Sequence, residues 1–377
     1  MIYLDNNSTT KPFPEVVDVM TQFMMNRYWN VTSAYGQLDG MEETVESAKV
    51  AIRTLFGATS DDEIVFTSGA TESNAWVVSE GARRAKGCGW VLSSQMEHPS
   101  ISEPLENLSE QGVDVRFVPI TRDGTFDLDK LLDLVDSDLC FASLMYAHNE
   151  TGVIQPLREA VCLLREHAPQ CLIHTDATQA IGKIPVSFFG DLCDVDLMSF
   201  SGHKFHGPKG IGGLVIKNGT NIQPLIRGGG QQNNLRSGTL NIPAVMGISK
   251  AAEISNNLIE NRKHDDVRKI RDYFEECMLR SFPDAFILGK QASRLPNTSF
   301  FGIPGADADD LVHALASDGI VLSKGSSCSS QSLKPSETAL SMEYSYDEAT
   351  SLIRLSTSLD TTIDELDALL CKLGNYI

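Results

Sequence analysis

The stretch that decides the fold is Val195-Asp196-Leu197-Met198-Ser199-Phe200-Ser201-Gly202-His203-Lys204. Its apolar run, Val195–Phe200, predicts a buried strand that ends just before a lysine. Similar strand-length runs occur earlier in the chain, at Ile64–Thr67, Trp90–Ser94, Leu139–Met145 and Cys171–Thr175. Helical stretches separate these runs. This alternation predicts an α/β fold with a mainly parallel sheet that is covered by helices on both faces.

The length of 377 residues is enough for two domains. We expect a large domain at 13–250, and a smaller α+β domain made of 1–12 and 251–377. The first dozen residues are expected to pack near the active site instead of starting the sheet. In the smaller domain we predict strands at Gly319–Leu322 and Leu352–Ser356. Two helices are also predicted there, one with the apolar face Val267, Ile270, Phe274 and Met278, the other with Ile363, Leu366, Leu370 and Leu373.

Charge and cysteine content exclude several classes of function. The net charge of −19 argues against direct nucleic-acid binding, which needs a basic patch. The N-terminus has no basic start followed by an apolar core, and no apolar run has the length of a membrane span, so we expect a cytoplasmic protein. The eight cysteines include no C-x-x-C pair, so neither a zinc site nor structural disulfides are expected.

Polar residues follow each of the five predicted strands. Because ligands of open α/β sheets bind beyond the carboxyl ends of the strands, these residues predict one shared site. The continuations are Ser68-Gly69-Ala70-Thr71, Glu97-His98, His148-Asn149-Glu150, Asp176-Ala177-Thr178-Gln179 and Ser201-Gly202-His203-Lys204. The first of them joins a strand to a helix and has the features of a phosphate-binding turn, although an ordinary strand–helix turn would look the same.

A lysine and an aspartate at two of these strand ends indicate pyridoxal 5'-phosphate (PLP). Lys204 can form a Schiff base with the cofactor, and Asp176 can keep the ring nitrogen protonated so that the ring withdraws electrons. Each residue also has a simpler interpretation, Lys204 as a solvated lysine and Asp176 as a helix N-cap. Lys209, in Gly207-Pro208-Lys209-Gly210, fits an exposed turn better than a cofactor site.

Other polar residues have possible roles in the same site. His98 can stack on a flat cofactor and shuttle protons, or simply cap a helix. The cluster Arg236-Ser237-Gly238-Thr239 can bind a phosphate or a substrate carboxylate. Arg354, inside a predicted strand, can clamp an α-carboxylate, or it can be an edge-strand charge that faces water. Cys328, in Ser326-Ser327-Cys328-Ser329-Ser330, stands apart from the other cysteines, most of which have apolar neighbours.

With these residues in place, the chain resembles the cysteine desulfurase family, in the class V aminotransferase group of fold-type I PLP enzymes. The resemblance covers nearly the whole chain and implies a seven-stranded, mainly parallel sheet. It is carried by Tyr3-Leu4-Asp5-Asn6-Asn7-Ser8-Thr9-Thr10, Phe66-Thr67-Ser68-Gly69-Ala70-Thr71-Glu72-Ser73, Glu97-His98, Asn149-Glu150-Thr151-Gly152, Asp176-Ala177-Thr178-Gln179, Ser199-Phe200-Ser201-Gly202-His203-Lys204, Arg236-Ser237-Gly238-Thr239, Gly325-Ser326-Ser327-Cys328 and Arg354-Leu355-Ser356.

The resemblance implies a role for each matching position. Lys204 corresponds to the Schiff-base lysine, Asp176 to the ring-nitrogen partner, His98 to the stacking histidine and Gln179 to the contact with the phenolic oxygen. The phosphate contacts correspond to Ala70, Thr71, Ser201 and His203. Thr239 corresponds to a threonine that reaches the phosphate of a neighbouring subunit, which implies a homodimer. The substrate carboxylate corresponds to Asn149 and Arg354. Cys328 corresponds to the sulfur-accepting cysteine of the long-loop, group I arrangement.

The implied reaction converts L-cysteine to L-alanine and leaves the sulfur as a persulfide on Cys328 for transfer to an acceptor protein. A selenocysteine lyase or another class V PLP enzyme is the alternative, followed by a non-catalytic binding homologue. Iron–sulfur assembly, tRNA thiolation and DNA phosphorothioation all stay open as pathways. The sequence departs from the family at Gly36, where a histidine is expected, and at Gln232 and Asn234, where the family has glutamate and glycine.

Overall fold

The computed structural model describes residues 1–86, 89–325 and 335–377. Twelve strands lie in these ranges: β1 (Ile2–Tyr3), β2 (Glu63–Thr67), β3 (Trp90–Ser94), β4 (Val115–Val118), β5 (Leu139–Ser143), β6 (Leu172–Asp176), β7 (Leu197–Ser201), β8 (Gly212–Ile216), β9 (Phe286–Ile287), β10 (Thr298–Gly302), β11 (Ile320–Val321) and β12 (Leu352–Ser356). Cys328, the predicted sulfur acceptor, lies outside the described residues.

Thirteen α-helices lie in the same ranges. They are α1 (Pro14–Met25), α2 (Ala34–Leu38), α3 (Met41–Phe56), α4 (Ala70–Ala85), α5 (Pro99–Glu110), α6 (Leu128–Leu134), α7 (Leu157–His167), α8 (Ile242–Glu260), α9 (Lys263–Ser281), α10 (Ala308–Ser317), α11 (Glu337–Ser341), α12 (Tyr346–Thr350) and α13 (Ile363–Tyr376). A 3₁₀ turn, Gly202–Lys204, follows β7 directly. In the part of the chain that the structure describes, no helix is both long and apolar enough to cross a bilayer.

The central sheet has seven strands in the order β2-β8-β7-β6-β5-β3-β4. β8 is antiparallel to both of its neighbours, and the other pairs are parallel, which confirms the predicted α/β fold. The run patterns indicated β2, β3, β5, β6 and β7, but not β4 or β8. β8 begins with Gly212-Gly213, where a Cβ on Gly212 would lie 2.4 Å from the Phe200 carbonyl oxygen. The tight packing that requires glycine thus removes the strand signal from the sequence.

Helices cover both faces of this sheet, as the run pattern predicts. Along β2 and β3 the side chains alternate, so that Phe66 and Leu92 face the cluster formed with α1, α3 and α8. Val65 and Val91 point the other way, into a cluster with α4 and α5. β2 and β3 are therefore buried on both sides, apart from the half-buried Glu63 at the start of β2.

The C-terminal part has a three-stranded antiparallel sheet, β12-β10-β9, and its own apolar cluster with α9, α10 and α13. β1 does not join the central sheet but pairs with β11 in a separate two-stranded sheet, as expected for the first dozen residues. Helix α8 runs continuously through residues 250 and 251, the predicted domain boundary, and packs against α1 and α3. The division into 13–250 and the remainder stays a prediction.

The last helix shows one wrong prediction. Its capping box forms between Thr362 and Glu365 as the sequence indicates. Ile363, however, is 44% exposed, and Leu369 is buried in its place beside Leu366 and Leu373. Ile363 is the first residue of the helix, and the buried residues begin one turn later, at Leu366.

Candidate active site

A cavity of about 600 Å³ opens at the carboxyl ends of the central strands. It brings together ten of the residues that the sequence predicted for one site: Ala70, Thr71, His98, Asn149, Asp176, Gln179, Ser201, His203, Lys204 and Arg354. Thr239 is exposed and is not among the described residues that line the cavity. The parallel strands place their ends at one edge of the sheet, which is why residues from Ala70 to Lys204 meet here, and Arg354 reaches the same cavity from β12 of the C-terminal sheet.

The turn after β2 forms one end of the cavity. Helix α4 begins at Ala70, so the backbone N–H groups of its first turn point into the cavity at the positive end of the helix dipole. A Cβ on Gly69 would lie 3.5 Å from Ser201 Oγ, so glycine leaves room there for a group held between the turn and Ser201. This is the geometry expected of a phosphate cradle.

Arg236 is not available to bind an anion in this cavity, contrary to one interpretation of its cluster. Its guanidinium donates to both oxygens of Glu72, at 2.8 and 3.1 Å. Burial opposes ionisation of Glu72, but the hydrogen bonds from Arg236 and Ser68 outweigh it and lower the pKa of that carboxyl. The ion pair therefore fixes the stretch before Thr239 against the phosphate turn.

Lys204 extends from the 3₁₀ turn after β7 toward the N-terminal segment. Its ammonium donates to the carbonyl oxygens of Asn7 at 2.7 Å and Ser8 at 2.8 Å. His203 beside it pairs through Nδ1 with the hydroxyl of Thr9 at 3.1 Å. Burial lowers the pKa of His203 to about 4, and the charges of Lys204, Lys209 and Lys183 add to that effect. His203 is therefore neutral at physiological pH. Lys209 is exposed at the rim, as the turn pattern predicted.

Asp176 ends β6 inside the cavity and is only 7% exposed. One carboxylate oxygen accepts from Asn74 Nδ2 at 2.7 Å and the other accepts from the backbone N–H of Thr178 at 2.9 Å. No helix starts at this position, so the alternative of an N-cap is wrong. No salt bridge joins Asp176 to any cation in the described ranges. A buried carboxylate held by two neutral donors is suited to face a cationic ring nitrogen.

The structure shows the capping role of His98, while its contact with a cofactor stays a prediction. It is the N-cap of α5, where Nδ1 accepts from the backbone N–H of Ser100 at 3.1 Å, and it also lines the cavity. Burial lowers the pKa of His98, and the attraction of Asp176 only partly offsets this. The ring is thus neutral, held at its Nδ1 edge, and available at its face and Nε2.

Lys183 is a site residue that the sequence analysis missed. Its ammonium donates to Asn7 Oδ1 at 2.8 Å and to Gln179 Oε1. Burial, followed by the charges of Lys204 and Arg354, lowers the pKa of Lys183 well below its usual value. Because Gln179 turns its carbonyl oxygen toward Lys183, its NH₂ group donates to the Asn7 carbonyl at 3.0 Å on the cavity side. The i, i+4 spacing of Gln179 and Lys183 was the only signal in the sequence.

Arg354 is 1% exposed, so the alternative of an edge charge in water is wrong. It lies on β12, and a bridge to Ser323 covers the free side of that strand. One terminal nitrogen donates to Asp5 at 2.7 Å, the other to the Asn149 carbonyl at 3.1 Å. The buried Nε–H has no partner among the described residues. An unpaired donor on a buried guanidinium is costly unless a ligand accepts from it.

These side chains fit PLP. The phosphate would lie between the N-terminus of α4 and Ser201 with His203, the ring nitrogen would face Asp176, and Lys204 would reach the aldehyde carbon. Gln179 presents a donor for the phenolic oxygen, and His98 presents a ring face. No group of three His, Cys, Asp or Glu side chains in the described ranges is placed to hold a metal ion. Fold and site together define a fold-type I PLP-dependent enzyme.

Comparison with known proteins agrees with this class. The family model for Aminotransferase class-V matches residues 2–369. A cysteine desulfurase of Cereibacter sphaeroides is 37% identical over 98% of this chain and 94% of its own. The cysteine desulfurase NifS of Azotobacter vinelandii is 34% identical, over 97% of this chain and 90% of its own. A solved NifS-like protein superimposes with a TM-score of 0.91 and 33% identity, covering 99% of this chain and 98% of its own. The chain belongs to the cysteine desulfurases of the class-V aminotransferase family.

Two of the departures from the family pattern, Gly36 and Gln232, have local causes in the structure. A Cβ at Gly36 would lie 2.1 Å from the Asn30 carbonyl oxygen, so no histidine side chain fits there without moving the backbone. The side-chain amide of Gln232 makes the pair of hydrogen bonds that a neighbouring strand would make. It accepts from Phe66 N at 2.7 Å and donates to Phe66 O at 2.9 Å. It thereby satisfies the backbone N–H and C=O of Phe66 at the open edge of β2.

Glu97 lies beneath the cavity and is buried. Its Oε1 accepts from the backbone N–H of Met145 and the hydroxyl of Ser94, while Oε2 has no partner among the described residues. Burial raises the pKa of Glu97 to about 8, and the charge of Asp176 contributes in the same direction. The side chain is therefore protonated at neutral pH.

We expect Glu97→Gln to change how stability depends on pH. In the folded protein Glu97 keeps its proton up to about pH 8, while in the unfolded chain it loses the proton near 4.5. Between these two pH values the folded state binds one proton more than the unfolded chain. The binding of that proton stabilises the folded state at low pH, and this stabilisation is lost as pH rises from about 5 to 8. Relative to Glu97→Gln, the wild type should lose about 3–4 kcal/mol in the free energy of unfolding over that range, measured by guanidinium unfolding. Glu106→Gln, an exposed carboxylate on α5, is the control; parallel curves for all three proteins would contradict the assignment.

Proposed function

We propose that this enzyme converts L-cysteine to L-alanine and holds the released sulfur as a persulfide on Cys328. The observation that carries the proposal is that Lys204, Asp176 and Arg354 line one cavity of about 600 Å³. That cavity has a cofactor-binding end at α4 and a carboxylate-binding end at Arg354, with room between them for a small amino acid. The family supports cysteine as that amino acid.

The cofactor end is assigned from its donors and acceptors. When bound, PLP withdraws electrons from the substrate Cα and so weakens the substrate Cβ–Sγ bond. Lys204 is the amine proposed to hold the cofactor covalently. Asp176 is proposed to stabilise the protonated ring nitrogen, because its carboxylate has only neutral donors as partners. Ala70, Thr71, Ser201 and His203 are proposed to bind the phosphate.

The substrate end is assigned to Arg354 and Asn149. Asp5 holds one terminal nitrogen of the guanidinium, which orients the planar group and leaves Nε–H without a protein partner. A substrate carboxylate can accept from that Nε–H in a charge-assisted hydrogen bond. The Asn149 carbonyl accepts from both Arg354 and Asn7, so the turn that follows β5 is tied to the same clamp.

The sulfur acceptor is assigned to Cys328. The described residues stop at Gly325 and start again at residue 335. Gly325 and Ser336 both lie close to Glu150, the residue after Asn149. A Cβ on Gly325 would lie 3.2 Å from the Glu150 carboxylate, and Ser336 donates to Glu150 at 3.1 Å. Cys328 follows Gly325 by three positions in the sequence, and we propose that its thiol acts at the substrate end of the cavity. A thiolate there would take the substrate sulfur as the Cβ–Sγ bond breaks.

A homodimer, an acceptor protein and a cytoplasmic location complete the proposal. Thr239 is exposed, in a stretch that Arg236 anchors to the phosphate turn, which supports a contact with the phosphate of a second subunit. The persulfide must pass to a thiol or other nucleophile on an acceptor protein. The net charge of −19 favours a partner with a basic surface.

Cys328→Ala tests the acceptor role. We expect the variant to bind the cofactor with the wild-type absorbance spectrum but to release at least 100-fold less alanine from cysteine, because no thiol takes the sulfur. Alanine and sulfide are measured together, with selenocysteine as a parallel substrate. Cys371→Ala removes an exposed thiol on α13 and should behave as wild type. Normal alanine release by Cys328→Ala without added thiol would contradict the proposal.

Arg354→Lys tests the carboxylate clamp without removing its charge. Lysine can keep the ion pair with Asp5, but it lacks the fork that presents Nε–H to a ligand. We expect the KM for cysteine to rise about 10-fold or more, which corresponds to about 1.4 kcal/mol of lost binding, while the cofactor spectrum stays unchanged. A wild-type KM in a correctly folded variant would place the carboxylate elsewhere.

A further inference from the structure

A continuous chain of buried hydrogen bonds lies beneath the cavity and ends on two of its side chains. It runs from Ser143 through His174 and Ser199 to Asn74. At Asn74 it divides, because Nδ2 donates both to Asp176 Oδ2 at 2.7 Å and to Ser100 Oγ at 2.8 Å. Ser100 Oγ then contacts His98 Nδ1 at 2.9 Å. Asn74 is completely buried, so water does not compete for these bonds.

The direction of every bond around Asn74 follows from the charge of Asp176. An ionised carboxylate only accepts, so the NH₂ group of Asn74 must face Asp176, and its carbonyl oxygen must face Ser199. The two protons of that NH₂ group are used by Asp176 and Ser100. The carbonyl oxygen accepts the hydroxyl proton of Ser199, so Ser199 must in turn accept from His174 Nε2.

The same reasoning fixes the tautomer of His98. Ser100 Oγ accepts from Asn74, so its own proton is directed at His98 Nδ1. The backbone N–H of Ser100 donates to the same nitrogen at 3.1 Å. With two donors directed at it, Nδ1 has no place for a proton, and neutral His98 carries its proton on Nε2.

We propose that Asn74 is a positioning residue that aims the Asp176 carboxylate into the cavity and, through Ser100, holds His98 as the neutral Nε2–H tautomer. His98 then offers the cavity a hydrogen-bond donor and an uncharged ring face. The inference rests on the proposed function only for the identity of the ligand; the hydrogen bonds themselves are independent of it. Neither Asn74 nor Ser100 was singled out by the sequence as a site residue.

The charges around His98 act in both directions. Asp176 and Glu103 favour the imidazolium, while Lys204 and burial oppose it, and the net effect is a lowered pKa. Protonation of the ring would place a proton on Nδ1, opposite the N–H of Ser100, and would require the Ser100 hydroxyl to turn away. Loss of Asn74 or of the Ser100 hydroxyl should therefore make His98 easier to protonate.

The test is ¹⁵N NMR of histidine-labelled holoenzyme, with the His98 signals assigned through His98→Gln. In the wild type we expect an imine-type signal for Nδ1 and an N–H signal for Nε2 throughout pH 6–9. In Asn74→Ala and in Ser100→Ala we expect the pH at which His98 takes up a proton to rise by about half to one unit, the equivalent of one lost hydrogen bond. Ser93→Ala removes a buried hydroxyl that donates to the backbone carbonyl of Ser143 and not to any of the side chains in this network, so it should leave His98 unchanged.

Ser100→Ala keeps the test decisive if Asn74→Ala does not fold, because alanine in the first turn of α5 suits the helix. A proton on Nδ1 of wild-type His98 would overturn the proposal, and so would variants whose tautomer and pH midpoint match the wild type. Failure of the proposed function would appear differently, as absence of alanine release with the NMR signature intact.

Discussion

One buried asparagine, Asn7, connects the two parts of the chain that form the site. It is 1% exposed, and its carbonyl oxygen accepts from Lys204 at 2.7 Å and from Gln179 at 3.0 Å. Its side chain accepts from Lys183 and donates to the Asn149 carbonyl. The same residue bonds to the C-terminal sheet region through Asn297, Thr298 and Ser356. Asn7 therefore holds residues of both the cofactor end and the substrate end of the cavity. The site forms only when the N-terminal segment packs across the cavity.

The hydrogen bonds of the N-terminal segment explain how several cationic side chains are tolerated close together at this site. Lys204 and Arg354 line the cavity and Lys183 lies beside it, and the charges of Lys204 and Arg354 contribute to the lowered pKa of Lys183. Backbone and amide oxygens of the N-terminal segment, together with Asp5, solvate these groups in place of water. A cluster of buried positive charge also favours the binding of anions. Both the phosphate and the substrate carboxylate are anions.

The sequence was most informative where strands end. Asp176 and Lys204 could be found because an apolar run in a parallel sheet fixes where its carboxyl end lies, and ligands of such sheets bind beyond those ends. β8 could not be found, because its first two residues, Gly212 and Gly213, are glycine where neighbouring atoms leave no room for a Cβ. Glycines contribute nothing to an apolar pattern. The partners of Arg236, Lys183 and Asn74 could not be found either, since each pairs with a residue whose position depends on packing in three dimensions. For Cys328 the sequence is the only guide, because it lies outside the described residues.

The identity of the lysine that carries the cofactor is the claim on which the account most depends, and the structure offers three candidates. Lys204 and Lys209 line the cavity, and Lys183 lies beside it with a strongly lowered pKa. Borohydride reduction of the yellow holoenzyme, followed by peptide mapping with mass spectrometry, distinguishes them directly. The account predicts that the reduced adduct is on Lys204 alone and disappears in Lys204→Ala, while Lys183→Met and Lys209→Ala retain it. An adduct on Lys183 or Lys209 in the wild-type enzyme would contradict it.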